Sequence, residues 1–442
     1  MATAPKADFS GDVAARKRYG VAALEIVGFD VLLNQANRRW SGSTDYDSNL
    51  TTIRRNLRSS WGVDHDPFRI NQLGHPYQGS IYHGIARSSG LDYWESSAYT
   101  FAGSIFWEIA GERTRPSGND QVASGVGGSF LGEALFRMAS LVLENGQGRR
   151  IWREVGAAAI SPPTGFNRLA FGDDRETIFA SHDAEYYSRA QVGVSRSSKD
   201  DAGLSASPQK RNEALAEFAI DYGLPGKPGY DYQRPFDYFA FQAAASTTGG
   251  VENVMTRGTL LARPYDLGSR YRGIVGVYGS YDYIAPPTFR ISSTALSLGT
   301  TGQWNASDGI TLQGSALFGV GYAAIGGVRS SDDLDYQYGV TPQSLLSVRA
   351  IVANKLSIDL TERDYYVSRI AAGDRGGHGS IGRFDASVTW RVSGPHALSV
   401  KYLGNRRNVS FPDLSGRRQT RSTIGVYYTY LGHDRFGAVD FH

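Results

Sequence analysis

The sequence predicts a membrane all-β fold, an antiparallel transmembrane β-barrel of about 12 strands. An N-terminal α-helical region is expected to precede the barrel and to plug or cap its lumen. Three observations lead to this. The first is a two-residue alternation between apolar and polar side chains. Phe384, Ala386, Val388, Trp390 and Val392 fall on one side of an extended strand, and Arg383, Asp385, Ser387, Thr389 and Arg391 on the other. The second is recurrence: the same pattern returns along the C-terminal part of the chain, beside Tyr or Trp and separated by turn residues. The third is composition. The 442 residues include 53 Gly, 26 Tyr, 20 Phe and 7 Trp, while the mean hydropathy is only −0.33. Barrels read as mildly polar because half of every strand faces water.

The chain is too long for one ordinary domain, and the patterning divides it into 1–174, a helical plug or periplasmic region, and 175–442, the barrel. No apolar run is long enough for a conventional membrane-spanning helix. A net charge of +3 gives no electrostatic footprint for nucleic acid. With no cysteine, neither disulfides nor thiolate metal sites can form. The opening MATAPKADFSGD carries no apolar signal core, so a barrel beginning this way is expected to be a mature or trimmed form.

In the first part, Tyr19, Ala22, Ala23, Ile26, Val27, Val31 and Leu32 recur at helical spacing and predict a helix over 14–40. Asp47 or Ser48 is placed to cap a short second helix through Arg58. Longer helices are expected over 91–112 and 119–144, and a last one over 151–159, stopped by Pro162 and Pro163. Twelve strands follow, near 178–195, 211–223, 235–246, 251–263, 269–283, 289–304, 308–324, 336–352, 354–368, 379–393, 396–408 and 419–431. Ile310, Leu312, Gly314, Ala316, Phe318, Val320 and Tyr322 form the clearest outward row. An even strand count puts both barrel ends of the chain on one side.

The densest motifs are NQLGHPYQGSIYHGIARSSGLDYWESS, GSIFWEIAGE, PSGND and GGSFLGEALFR. Their His-Pro-Tyr, Ala-Arg-Ser, Trp-Glu and Gly-Glu blocks, in this order, resemble the bacterial family called domain of unknown function 3943, over residues of about 60–172. The resemblance implies an envelope protein with helices before a barrel, and it implies no activity.

These blocks also hold the candidate site. Ser104, Glu108 and Glu112 share a helical stripe, as do Ser129, Glu133, Arg137 and Ser140. Gly128 and Gly132 have the small-xxx-small spacing that brings helix backbones together. A tight hairpin of 91–112 with 119–144 is therefore expected, with Arg137 paired to Glu133 or Glu108. Tyr77, Arg87, Glu95, Glu108, Glu112, Asp120, Glu133 and Arg137 are the expected ligand-binding or plug network. His75, His83 and Glu108 are the catalytic candidates, with Ser80, Ser96 or Ser104 as nucleophile. The eight-residue spacing of the histidines matches no compact metal motif, although Glu95, Glu108 or Asp120 could complete one. No metal or cofactor is expected. In the barrel, Arg349, Arg363, Arg383, Arg391 and Lys401 should point inward with Asp359 and Asp385. The leading expectation is a plugged channel or binding protein for a small solute or lipid, in contact with outer-membrane lipids. The alternative is an outer-membrane hydrolase acting on lipid or peptide from a site in residues 75–137.

Overall fold

The computed structural model describes residues 17–64, 66–144, 150–171, 180–202, 209–286, 289–326, 333–334, 336–368, 377–411 and 414–441. The chain forms two compact units. One comprises Met1–Asp64 and Gly74–Asp183; the other, His65–Leu73 and Ala184–His442.

The first unit is helical: α1 Tyr19–Trp40, α2 Leu50–Asn56, α3 His75–Ser88, α4 Tyr93–Phe106, α5 Gly118–Asp120, α6 Gly128–Glu144, α7 Arg150–Ile160 and α8 Pro162–Phe171. A π turn, Trp107–Gly111, prolongs α4, and another, Gln121–Gly127, joins α5 to α6. Helix α2 is capped by Asn49 rather than by the expected Asp47 or Ser48. Its side chain accepts from the Thr51 and Thr52 amides, and Thr52 returns the bond. Asp92 and Glu95 make the same reciprocal cap for α4. The two prolines end α7 as expected and at once begin α8, where a first-turn proline sacrifices no hydrogen bond.

Helix α3 is the element that sequence patterning overlooked. Gly74, Pro76, Gly79 and Gly84 depress helix propensity, but Pro76 lies in the first turn. The glycines serve packing. A Cβ on Gly79 would stand 2.1 Å from the Ser124 carbonyl oxygen, one on Gly128 2.6 Å from Gly79 Cα, and one on Gly132 2.7 Å from His83 Cβ. The expected hairpin of 91–112 with 119–144 is thus corrected: the close partner of α6 is α3. Helix α4 lies against the π turn, where Gly125 faces the Phe101 ring.

The second unit is a closed antiparallel barrel of twelve strands in sequential order, sealed by β1 against β12. The strands are β1 Tyr186–Ala202, β2 Gln209–Tyr222, β3 Phe239–Ser246, β4 Gly250–Leu267, β5 Tyr271–Ile284, β6 Arg290–Ser307, β7 Ile310–Gly326, β8 Tyr336–Val352, β9 Leu356–Ser368, β10 His378–Ser393, β11 His396–Phe411 and β12 Leu414–Leu431. The first strand begins at Tyr186; the expected start at 178 lies outside the described residues, and within them His182 and Asp183 take positive φ values of 51° and 62°, which interrupt extended backbone.

Register aligns the alternation of neighbouring strands into continuous rows. Trp304, Leu312, Ala350, Ile358, Val388, Val400, Val426 and Val194 pair in turn across eight strands, from β6 round to β1. None of them is charged, and Trp304, Val388, Val400, Val426 and Val194 are exposed. The adjoining inward row contains Gln303, Gln313, Arg349, Asp359, Ser387 and Lys401. An apolar outer face around a polar interior is the inverse of a soluble protein and matches a lipid surroundings.

The interior of this unit is filled in three zones. Near the β7–β8 connection, Ile284, Ile291, Ile325, Val367, Ile381 and Val409 form a buried apolar cluster. The segment 66–73 packs within the same unit there. Asn71 donates to the Tyr336 hydroxyl at 2.8 Å, Gln72 to the Tyr338 hydroxyl at 2.8 Å, and Phe68 stacks edge-on against Tyr336. At the opposite end, the chain after β12 folds back, burying Phe436 and Val439 with Tyr187, Leu224, Ile351, Ala397 and Leu431. Gln303 accepts from the Val439 amide at 2.9 Å and donates to its carbonyl at 2.7 Å, while Gln313 donates to the Gly437 carbonyl at 2.6 Å. Between these apolar ends lie the charges.

Two outcomes follow from this packing. Val388→Arg places a cation in the middle of the outward aliphatic row and should destabilise the refolded barrel by about 2–4 kcal/mol, read from urea titration in vesicles. A soluble, folded monomer extracted without detergent would contradict the outward face. Gly128→Leu should drive α6 off the α3 backbone and lower the unfolding free energy of the helical unit by about 1–3 kcal/mol, measured by melting and limited proteolysis. Unchanged resistance would show that the contact with Gly79 is absent.

Candidate functional site

In the helical unit, α3 and α6 bring four candidate residues together. Glu133 is fully buried. Its carboxylate lies 2.8 Å from Arg137 Nε, one turn along α6, and 2.8 Å from Arg87 Nε on α3. His83 Nε2 stands 3.1 Å from Glu133 Oε2. Burial alone would raise the Glu133 carboxyl, but Arg87, the His83 hydrogen bond and Arg137 outweigh it and hold the group below its ordinary range. Burial lowers His83 despite Glu133, so the imidazole is neutral. A neutral ring beside a carboxylate donates from Nε2, leaving Nδ1 toward the Thr100 hydroxyl at 3.5 Å. Arg87 also donates to the Leu91 carbonyl at 2.6 Å, and its guanidinium lies 4.7 Å from the Phe136 ring centre. The cluster ties α3, α4 and α6 around one carboxylate.

A second group surrounds the π turn after α4. Buried Glu108 accepts from the Ser117 amide at 2.8 Å through one oxygen. Burial, followed by the nearby Asp120 and Glu112 carboxylates, raises Glu108 far above its ordinary range, so it is a neutral acid at pH 7. Asp120 is likewise raised by burial, opposed by His75 and the Ser117 hydroxyl bond. It accepts from Ser117 Oγ and, at 2.9 Å, from Asn119 Nδ2. His75 Nε2 lies 4.0 Å from Asp120, and Ser124 Oγ lies 3.4 Å from His75 Nδ1. This is a Ser–His–Asp order with long contacts, and Ser124 is 1% exposed, so no substrate carbonyl reaches its hydroxyl in this arrangement.

The other named residues lie elsewhere. Glu112 accepts from Trp107 Nε1 at 2.7 Å and Thr114 Oγ1 at 3.0 Å. Glu95 caps α4 and meets Lys17 at 2.8 Å and the Tyr19 hydroxyl at 2.7 Å, outside both clusters. Tyr77 is 48% exposed. Ser80 donates to the Tyr77 carbonyl at 2.6 Å, and Ser104 accepts from Gln121 at 2.8 Å, so neither hydroxyl addresses a histidine. Among the described residues, no group of three or more His, Asp or Glu is arranged to hold a metal. Sequence reasoning missed Asp30 on α1, which accepts from the buried Tyr82 hydroxyl. Burial raises its carboxyl to about 8, against the bonds from Tyr82 and Gln78. The available signal was an Asp amid the apolar face of α1.

In the barrel unit, Arg349, Arg363, Arg383 and Lys401 point inward with Asp359 and Asp385, while Arg391 reaches the tail carbonyls of His433 and Asp434. Arg349 lies 2.6 Å from Asp359 and 3.1 Å from Asp221; Lys401 lies 2.7 Å from Glu217 and 3.0 Å from Asp385. Arg189 adds contacts to Asp359 at 3.4 Å and Glu217 at 3.9 Å. Arg189, Asp221, Arg349, Asp359, Asp385 and the residues around Asp282 border a cavity of about 120 Å³, within the polar zone. Sequence alternation identified the inward arginines, but Glu213, Glu217, Asp221 and Asp282 completed the set only once the barrel closed.

Residues 60–163 match the family described as Domain of unknown function (DUF3943). No curated protein matches the chain. Among solved structures, the chain is similar to the outer membrane channel DcaP of Acinetobacter baumannii at 10% identity, covering 56% of this chain and 97% of that one, with a TM-score of 0.26. Pseudomonas aeruginosa OpdQ aligns at 11% identity over 57% of this chain and 99% of its own, with a TM-score of 0.21. The KdgM porin aligns at 9% identity over 55% and 99%, with a TM-score of 0.23.

The buried acids set a pH dependence. A carboxyl whose folded pKa is raised stabilises the fold fully below its unfolded value and loses that contribution as pH rises toward the folded value. For Asp30 the loss runs from its ordinary 3.8 to about 8, and Glu108 extends it to more alkaline pH. Glu133, being lowered, has the opposite sign: its contribution is full above its ordinary 4.5 and is lost only as pH falls below that. Glu108→Gln keeps an acceptor for the Ser117 amide and removes the ionisation. It should flatten the decline of the helical unit's melting temperature with pH and melt above the wild type at pH 9. An equal decline in both proteins would show that Glu108 does not resist ionisation.

Proposed function

We propose that this protein is an outer-membrane barrel whose lumen is shut at rest and which binds or passes a small solute, with membrane lipid as the partner of its outer face. The observation that carries the reading is the charged cavity held between two apolar ends of one barrel. A barrel serving only as an anchor could fill its interior with aliphatic layers. Here many ionised groups are kept inside instead, each requiring a partner to offset desolvation. Chain segments outside the ladder pack into both ends, beside the strands' own apolar residues. Segment 66–73 lies at one, held through Tyr336 and Tyr338, and residues 433–441 lie at the other, held through Gln303 and Gln313. Closures of this kind can be released without breaking a ladder hydrogen bond.

Planar-bilayer conductance tests the reading. The wild-type chain should show low or rare conductance. Ending the chain after His433 should open the tail end, and Phe68→Ala should loosen the other, so the combination should conduct steadily with the ion dependence of a charged pore. A chain shortened by residues 1–170, which also lacks segment 66–73, should conduct like Phe68→Ala or better. Silence in all four, with refolding verified by resistance to unfolding in detergent, would refute a solute path.

A further inference from the structure

We propose that the lumen contains a binding site for a small oxyanion, built from the guanidinium groups of Arg257, Arg363 and Arg383. Two other lumen cations are each held between two carboxylates. Arg349 sits between Asp359 and Asp221, and Lys401 between Glu217 and Asp385. This group differs. Arg363 on β9 and Arg383 on β10 are directly paired residues, so two cations face each other across a ladder, a placement that is destabilising without an anion. They are 5% and 2% exposed.

Arg257, Arg363 and Arg383 all face the Asp282 carboxylate; Arg257 also neighbours Tyr238 and Asp221, but Asp221 already meets Arg349 at 3.1 Å. Asp282 already accepts from the Tyr365 hydroxyl at 2.8 Å. None of the three arginines makes an ion pair within 4.0 Å among the described residues. Arg383 donates only a long 3.4 Å bond to Asn405 Oδ1, and the Nε groups of all three have no acceptor among the described residues. With Asp221 shared with Arg349, the three cations outnumber the carboxylates left to them. Arg257, Asp282, Arg363 and Tyr365 all border the 120 Å³ cavity. Guanidinium groups present flat forks that grip two oxygens at once, the match for phosphate, sulfate or a carboxylate. An oxyanion would offset that excess and accept from the Nε groups that lack an acceptor.

The site names a solute class for the proposed lumen function, yet binding and passage can be measured apart. The full chain, refolded in detergent, is titrated with inorganic phosphate by calorimetry at constant ionic strength in chloride. Saturable binding is expected, weakened about tenfold or more by Arg363→Gln and by Arg383→Gln, and unchanged by Arg263→Gln on the exposed part of β4. In phosphate-free buffer, Arg363→Gln should melt no lower than the wild type, because it removes repulsion; a lower melting temperature would reveal a structural partner for Arg363 and overturn the site. Absence of saturable phosphate binding, or full affinity in Arg363→Gln, would do the same. Acetate and sulfate titrations then sort carboxylate from tetrahedral ligands. Phosphate binding by a barrel that never conducts would remove the channel reading alone, and conductance without phosphate binding would remove the anion site alone.

Discussion

Closure of the sheet is the constraint on which the barrel depends. In hydrocarbon an unpaired backbone amide or carbonyl costs several kcal/mol, so a sheet can stand in lipid only if its first and last strands meet. The β1–β12 ladder, with Val194 opposite Val426, supplies that meeting. Once the ring is closed, two-residue alternation sorts every side chain to lipid or to lumen. The outer face must then be apolar, and the inner face is free to be charged. Several inward charges offset their desolvation by pairing, as Arg349 does with Asp359 and Lys401 with Glu217.

The helical unit meets the same cost of buried charge in two ways. Around Glu133 the solution is pairing, with two guanidinium groups and a neutral imidazole drawn to one carboxylate. Around Glu108 other carboxylates crowd the site, so the acid keeps its proton and accepts an amide bond from Ser117. One cluster is an ionic clasp between α3 and α6. The other is a polar pocket that tolerates burial only while neutral.

What could be read from the sequence divides along the range of the interactions involved. Strand positions were legible because alternation is local, and the outward row of β7 and the inward Arg383 needed no knowledge of neighbours. Glu133 and Arg137 were legible as a pair because four residues make one helical turn. Helix α3 was not, since its glycines look like helix breakers until Gly79 is seen against Ser124 and Gly128. His83 and Arg87 could therefore be listed as candidates but not placed on one face with Glu133. The chain segments that close the barrel were equally hidden. Gln303 and Val439 are 136 residues apart, and nothing in the pattern of either announces the other.

That distance bears on the order in which the molecule can assemble. Gln303 and Gln313 stand side by side only after β6 and β7 have paired, and Tyr187 meets Phe436 only where β1 and β12 have joined. The docking surface for residues 433–441 therefore does not exist in any partly zipped sheet. Contacts of such long sequence separation form late, after the entropy of closing the intervening loops has been overcome. The tail acts as a latch that engages last, and its burial reports a finished ring. A barrel arrested before its final seam would leave Phe436 and Val439 uncovered, an apolar surface that only the finished ring hides.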